Sequence, residues 1–156
     1  MQLHHQAAQI RKTLEENGIE ILYHFTAINN LKWLAQYGLL SKEKLEKKGI
    51  LDEIETGGDE LISLKLDREL GNWGKVSLYF CPHTPMAYGK QGEKHIVYIL
   101  INPEVATWEN VLFTDTNATR KQDGHHREQG MEGVNLVDFK TIKETLDDGP
   151  KPWDPA

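Results

Sequence analysis

Cysteine is almost absent: the chain of 156 residues has one, Cys81. A lone thiol has no partner within the chain, so no internal disulfide staples this fold. Long apolar runs are missing as well, and none approaches the roughly 20 residues that a membrane-spanning helix needs. The amino-terminal stretch MQLHHQAAQIRKTLEENG has no apolar signal-peptide core. These absences lead to the expectation of a cytoplasmic protein with no membrane partner. Positive charge is in deficit, with 18 Lys and Arg against 24 Asp and Glu and a formal net charge of −6. That balance argues against a general basic footprint for nucleic acid, although a local one can exist. No Gly-rich phosphate loop of the Rossmann or Walker kind occurs, nor any internal repeat or interdomain linker. The length suits one domain, residues 1–156, with a real core.

What is present is centred on Ile21 to Ser41, ILYHFTAINNLKWLAQYGLLS. Ile21-Leu22-Tyr23 reads as a short buried strand. His24 and Thr26 flank Phe25, so in an extended chain they point to one side. Ile28, Leu31, Leu34 and Ala35 then recur at helical spacing, and Gly38 stands where a helix would stop. A His and a Thr delivered to the mouth of a helix make a polar pocket with an apolar floor, which suits a nucleotide. Read singly, a His at a strand end is more often a hydrogen-bonded structural residue than a ligand contact, and Thr26 can serve only as a helix cap.

Around this centre, residues 4–16 are expected to form a packing helix with Ala7, Ile10 and Leu14 on one face, closed by Asn17-Gly18. The run KEKLEKK at 42–48 reads as a charged helical turn or surface loop. Thr56-Gly57-Gly58-Asp59 is a loop signal. Leu61 to Leu66 alternates in the manner of a half-buried strand, and Val76 to Cys81 reads as a second strand, stopped by Pro82. His95 to Ile101 is nearly all apolar and is expected to be a strand buried on both faces. Pro103 begins a turn, and Val111-Leu112-Phe113 is a further short strand. Thr114 to Gly133 shows no periodicity. Asn135 to Leu146 returns to helical spacing, and the final DDGPKPWDPA is an extended, proline-rich end. The pattern is α+β, with N-terminal helices and at least four strands.

Several chemistries compete for these residues. His125-His126 and Cys81-Pro82-His83 lack the spacing of a structural zinc site, so no metal is expected. Cys81 and His83 could form a nucleophile and base, but a Cys in an apolar strand is better read as a packing residue. The 114–133 stretch gathers Asn117, Arg120, Lys121, His125 and Arg127 in an otherwise acidic chain. Arg and Lys fit phosphates and Asn fits base edges, so the stretch is either a nucleic-acid contact or a solvated loop.

Three segments together resemble the DarT family, the DNA ADP-ribosyltransferase toxins of toxin–antitoxin systems. They are Leu22 to Leu31 with Gly38-Leu39-Leu40-Ser41, then Val76 to Met86, then Leu112 to Ala118, in the family's order over about residues 20–155. The resemblance implies the ADP-ribosyltransferase fold, a split β-sandwich that clasps NAD in a central cleft. It implies transfer of ADP-ribose from NAD to a base in single-stranded DNA, with release of nicotinamide, in a toxin–antitoxin or phage-defence system. It implies a cognate antitoxin protein as partner. By position it makes His24, Phe25, Thr26, Trp33 and Ser41 NAD contacts, with Trp33 bulky for its place. It makes Arg68 the catalytic arginine and a further NAD contact, and 114–133 the substrate-recognition loop.

The resemblance also implies a glutamate in a strand beyond the helix at 135–146, within a Gln-Ala-Glu-Val-Leu-Val-like run. The sequence to Ala156 does not contain that run, and Glu128, Glu132 and Glu144 stand in other settings. Weak or absent transferase activity is therefore expected of this chain. The rival expectation is a non-catalytic module of the same fold that binds NAD or nucleic acid, or docks an antitoxin. RNA or protein substrates are a third reading, and a metal-dependent hydrolase the last.

Overall fold

The computed structural model describes residues 2–55, 60–84, 87, 95–116 and 126–148. In chain order the elements are α1 (Ala7–Glu16), β1 (Leu22–Ala27), α2 (Leu31–Tyr37), α3 (Lys42–Lys47), α4 (Glu60–Glu69), β2 (Ile96–Ile101), β3 (Phe113–Thr114), β4 (Arg127–Glu128), α5 (Gly130–Val134) and α6 (Phe139–Asp148), with 3-10 turns at Ile28–Asn30, Leu51–Glu53 and Pro103–Thr107. Helices and small sheets are thus mixed, as in an α+β protein. The chain divides into two compact units: Met1–Tyr23, Tyr79–His83 and Leu100–Ala156 form one, and His24–Leu78 with Thr84–Ile99 the other.

In the first unit α1 forms where the spacing requires it. Ala7, Ile10 and Leu14 share one face and are all buried, as the 3.6-residue period dictates. The helix stops at Asn17, and Gly18 takes a φ of +71°, where a residue without a Cβ carries no penalty. α1 lies against the Pro103–Thr107 turn. Arg11 grips Glu104 with two parallel hydrogen bonds, the one from Nε measuring 2.8 Å, and the His4 backbone N–H donates to the Thr107 carbonyl at 2.8 Å. Asn102 caps the turn by accepting from the Glu104 N–H at 2.8 Å. Phe80 packs between Phe113 and Phe139, with ring centroids 6.5 and 5.8 Å away. Ile10, Val134 and Thr107 are the largest fully buried side chains.

In the second unit, β1 continues into the Ile28–Asn30 turn and α2, and Gly38 ends α2 at φ +74°, as its position predicts. β1 pairs with β2 in a two-stranded sheet. α3 and α4 are tied by an ion pair between Lys42 and Asp67, and the Glu43 N–H donates at 3.0 Å to the carbonyl of Trp73, in the turn after α4.

Five expectations are corrected. Leu61 to Leu66 is not a strand but lies within α4. Leucine favours helix, Arg68 in the last turn suits the C-terminal end of the helix dipole, and Lys65 and Glu69 pair one turn apart. Val76 to Cys81 does not form a regular strand, and its one bridge joins Tyr79 to Tyr23. The Ser77 carbonyl, which a ladder would use, instead accepts from the His24 side chain. β2 is not buried on both faces: Leu100 is 61% exposed, because a strand with one paired neighbour has too little around it to cover both sides. Finally, Thr114 to Gly133 is not wholly irregular, since β4 and α5 lie within it, and the last helix begins at Phe139 rather than Asn135. The loop signal at 56–59 and most of the proline-rich end, 149–156, lie outside the described residues.

Candidate functional site

The C-terminal half of β1 presents His24, Phe25 and Thr26. The His24 ring is half-buried, and its Nδ1 lies 3.0 Å from the Ser77 carbonyl oxygen. A carbonyl only accepts, so Nδ1 carries the proton and donates it. In the neutral ring Nε2 is then a bare acceptor. Burial pushes the His24 pKa below the ordinary value of 6.5, and the Ser77 carbonyl opposes that shift. The folded state therefore resists a proton that the unfolded chain accepts, and stability falls as the pH drops below about 6.5. Between pH 7 and pH 5 the wild type is expected to lose more in Tm than His24→Asn, whose amide can still donate to Ser77. Equal losses would refute the assignment.

Phe25 meets Tyr98 edge to face at 6.5 Å. The Thr26 hydroxyl accepts from Asn30 Nδ2 at 2.9 Å, and the same buried amide bonds the Glu55 carbonyl at 2.8 Å and its N–H at 2.9 Å. Asn30 thus pins the strand end to the 51–55 turn. A buried amide with its bonds made fixes one local geometry.

Trp33 and Tyr37, one helical turn apart, hold parallel rings 6.1 Å apart. Lys32 sits 4.9 Å over the Trp33 ring and Lys48 4.8 Å over the Tyr37 ring. Ser41 is buried as the N-cap of α3, its Oγ accepting from the Lys44 N–H at 3.4 Å. Arg68 stands in the last turn of α4, its Cζ 3.7 Å from the centre of the Trp73 ring. Its Nη2 donates to Glu46 Oε1 at 2.7 Å, and Trp73 Nε1 donates to Glu46 Oε2 at 3.0 Å. These hydrogen bonds, that of Arg68 first, hold the Glu46 carboxyl below its usual range.

The segment from Trp73 to Ser77 links the two groups. Trp73 carries the Arg68 cluster and Ser77 holds the His24 ring. Four residues of chain span at most about 14 Å, which bounds the separation of their backbones. All six residues assigned to NAD lie in this second unit. Four residues had escaped notice in the sequence: Asn30, Glu46, Trp73 and Ser77. Asn30 had one visible signal, its four-residue spacing from Thr26 on a turn. Glu46 was hidden in a charged run of the kind that is usually solvated.

In the first unit, Phe113 and Thr114 pair antiparallel with Glu128 and Arg127. Asp115 accepts from both the backbone N–H and the ring Nδ1 of His126, at 3.3 and 3.1 Å. The two flanks, Phe113–Asp115 and His126–Glu128, are thus joined in a neck by a short ladder and a side-chain cross-link. Arg127 sits in that neck; Asn117, Arg120, Lys121 and His125 lie outside the described residues. Cys81 is partly buried, and burial pushes its thiol pKa up, away from the thiolate that a nucleophile needs. Among the described residues no three His, Cys, Asp or Glu side chains gather in a group that could hold a metal ion.

Comparison with known proteins gives one family. Residues 23–151 match DarT, described as ssDNA thymidine ADP-ribosyltransferase. A curated relative, the DNA ADP-ribosyl transferase–DNA ADP-ribosyl glycohydrolase fusion protein of Thermosipho africanus, is 26% identical over 132 residues; the alignment covers 78% of this chain and 34% of the relative. The chain therefore spans about a third of that protein's length. No solved structure matches significantly.

Proposed function

The chain belongs to the DarT family, and from that premise we propose that its second unit binds NAD and that ADP-ribose is transferred from it to thymidine in single-stranded DNA. One observation carries the reading. His24, with its Nδ1–H fixed on Ser77 and Nε2 left as an acceptor, is joined by four residues of chain to the Trp73 plate under the Arg68 guanidinium. Nε2 suits a ribose hydroxyl or a carboxamide N–H, both of which donate. The guanidinium suits a pyrophosphate, whose oxygens only accept. Phe25, Thr26, Trp33 and Ser41 complete the proposed NAD contacts within a split β-sandwich of the ADP-ribosyltransferase type.

In the reaction the C1′–N bond to nicotinamide breaks and nicotinamide leaves with the electron pair. The thymine ring nitrogen loses its proton to solvent and bonds C1′ with the electron pair so freed. Positive charge develops on the ribose, and a fixed NAD conformation with an anchored pyrophosphate lowers the cost of reaching that state. Asn117, Arg120, Lys121, His125 and Arg127 are proposed to contact the DNA from the segment between β3 and β4. The cellular reading is a cytoplasmic toxin neutralised by an antitoxin protein.

A second reading, a module that binds NAD without transfer, is favoured by Arg68 Nη2 being already engaged by Glu46. One experiment separates them. The chain is incubated with NAD labelled in its adenylate half and with oligonucleotides that contain or lack thymidine, and NAD binding is measured by calorimetry. Label confined to the thymidine-containing strands, and weak because the glutamate run is not in this sequence, is the result that supports transfer. NAD binding without label selects the module. Neither label nor binding overturns both.

A further inference from the structure

We propose that Glu46 and Trp73 are positioning residues that aim the guanidinium of Arg68 at the pyrophosphate of NAD, an inference that rests on the reading of Arg68 as an NAD contact. An arginine at an exposed helix end samples many rotamers, and ordering it late in binding lowers affinity. Here the ordering is done in advance. The Trp73 ring fixes the plane of the guanidinium, with Cζ 3.7 Å from its centre. The Glu46 carboxylate fixes its rotation about that plane by accepting from Nη2 at 2.7 Å. The carboxylate's other oxygen is held in turn by Trp73 Nε1 at 3.0 Å, so the three groups lock one another.

Two features mark the cluster as more than a helix fastening. α3 and α4 are already joined by the Lys42–Asp67 ion pair, and the Glu43 N–H donates to the carbonyl of Trp73 in the turn after α4, so Glu46 is not the sole tie between these elements. Glu46 also takes only one corner of the guanidinium. Among the described residues Arg68 Nε and Nη1 have no acceptor, and a planar fork with a free edge is the shape that receives two phosphate oxygens. Arg68 remains 53% exposed, so a ligand can reach that edge.

The test uses the full chain, NAD and calorimetry, with Tm as the control for folding. Glu46→Gln keeps one acceptor but turns an amide N–H toward a donor, and is expected to weaken NAD binding about tenfold. Trp73→Ala is expected to do the same. Trp73→Phe, which keeps the ring face and loses only the bond to Glu46, is expected to fall between it and the wild type. Added to Arg68→Ala, Glu46→Gln should cost nothing further, because a residue that acts only through Arg68 has nothing left to position.

An equal loss with and without Arg68 overturns the proposal, as does no loss in any variant. Tighter binding by Glu46→Gln also overturns it, since Glu46 would then screen Arg68 rather than aim it. Should Trp73→Ala unfold, Trp73→Phe and Glu46→Gln still decide the matter. If the wild type shows no NAD affinity, the reading of the site fails first, and the variants are not needed to see it.

Discussion

Gly133→Ala is expected to lower folding stability by about 3 kcal/mol and the Tm by roughly 6 to 12 °C. Gly133 lies inside α5, where alanine is intrinsically the better helix former by about 1 kcal/mol, so propensity alone predicts the opposite sign. Packing decides against it. A Cβ at 133 would press on the Glu128 carbonyl group, with its carbon at 2.8 Å, and on the Phe113 ring at 2.9 Å. The first neighbour is backbone, and it belongs to the short ladder of β4 with β3. It can yield only if the ladder shifts. Gly18→Ala is the control: its φ of +71° is strained for alanine but nothing lies within 4 Å, so its cost is about 1 kcal/mol of backbone strain. Urea unfolding of both variants gives the comparison. A Gly133→Ala chain as stable as the wild type would show that α5 can move away from the neck.

Arg68→Ala is expected to reduce transfer to DNA by about a hundredfold or more, the scale of losing one preorganised electrostatic contact to a developing charge. Its effect on stability should be small, because Arg68 and Glu46 are 53% and 47% exposed and exposed pairs contribute about 0 to 1 kcal/mol. Arg68→Lys is not expected to restore activity. An ammonium keeps the charge, but it has neither the plane that lies on Trp73 nor the fork that meets two oxygens. The measurement is the initial rate of labelling of a thymidine-containing strand, read beside NAD affinity and Tm. A hundredfold loss with Tm unchanged assigns Arg68 to the reaction. A matching fall in Tm would make Arg68 a fastening between α3 and α4. An unchanged rate would return the search to the other cations of the second unit.

How much of this was legible in the sequence depended on the range of the interaction. The apolar face expected of Ile28, Leu31, Leu34 and Ala35 was not decided by their spacing, since Ile28 and Leu31 are 46% and 38% exposed, but the β1 strand and the glycine that ends α2 follow from the order of their residues. So do α1 and its closing Gly18. The segments that carry the family resemblance were legible for the same reason, being contiguous. The alternation at Leu61 to Leu66 misled because six leucine-rich residues fit either period, and what settled the matter was the continuation through Asp67 to Glu69 as helix. The Val76 to Cys81 run misled differently. Its residues have strand propensity, but a ladder needs partners, and one of its carbonyls is taken by a side chain from 53 residues earlier.

The sequence by itself therefore determined what short stretches can settle: one thiol, no run fit to cross a membrane, the buried face of α1, the glycines that close α1 and α2, and membership of a family. Only the tertiary structure decided which polar groups meet. His24 is a neutral ring with a defined tautomer because Ser77 comes to it, Arg68 lies flat because Trp73 and Glu46 converge on it, and Asn30 is buried with its bonds made because Glu55 folds back over it. Hydrophobic period and turn chemistry are properties of neighbours along the chain. Hydrogen-bond partners are chosen by neighbours in space, and the sequence does not list those.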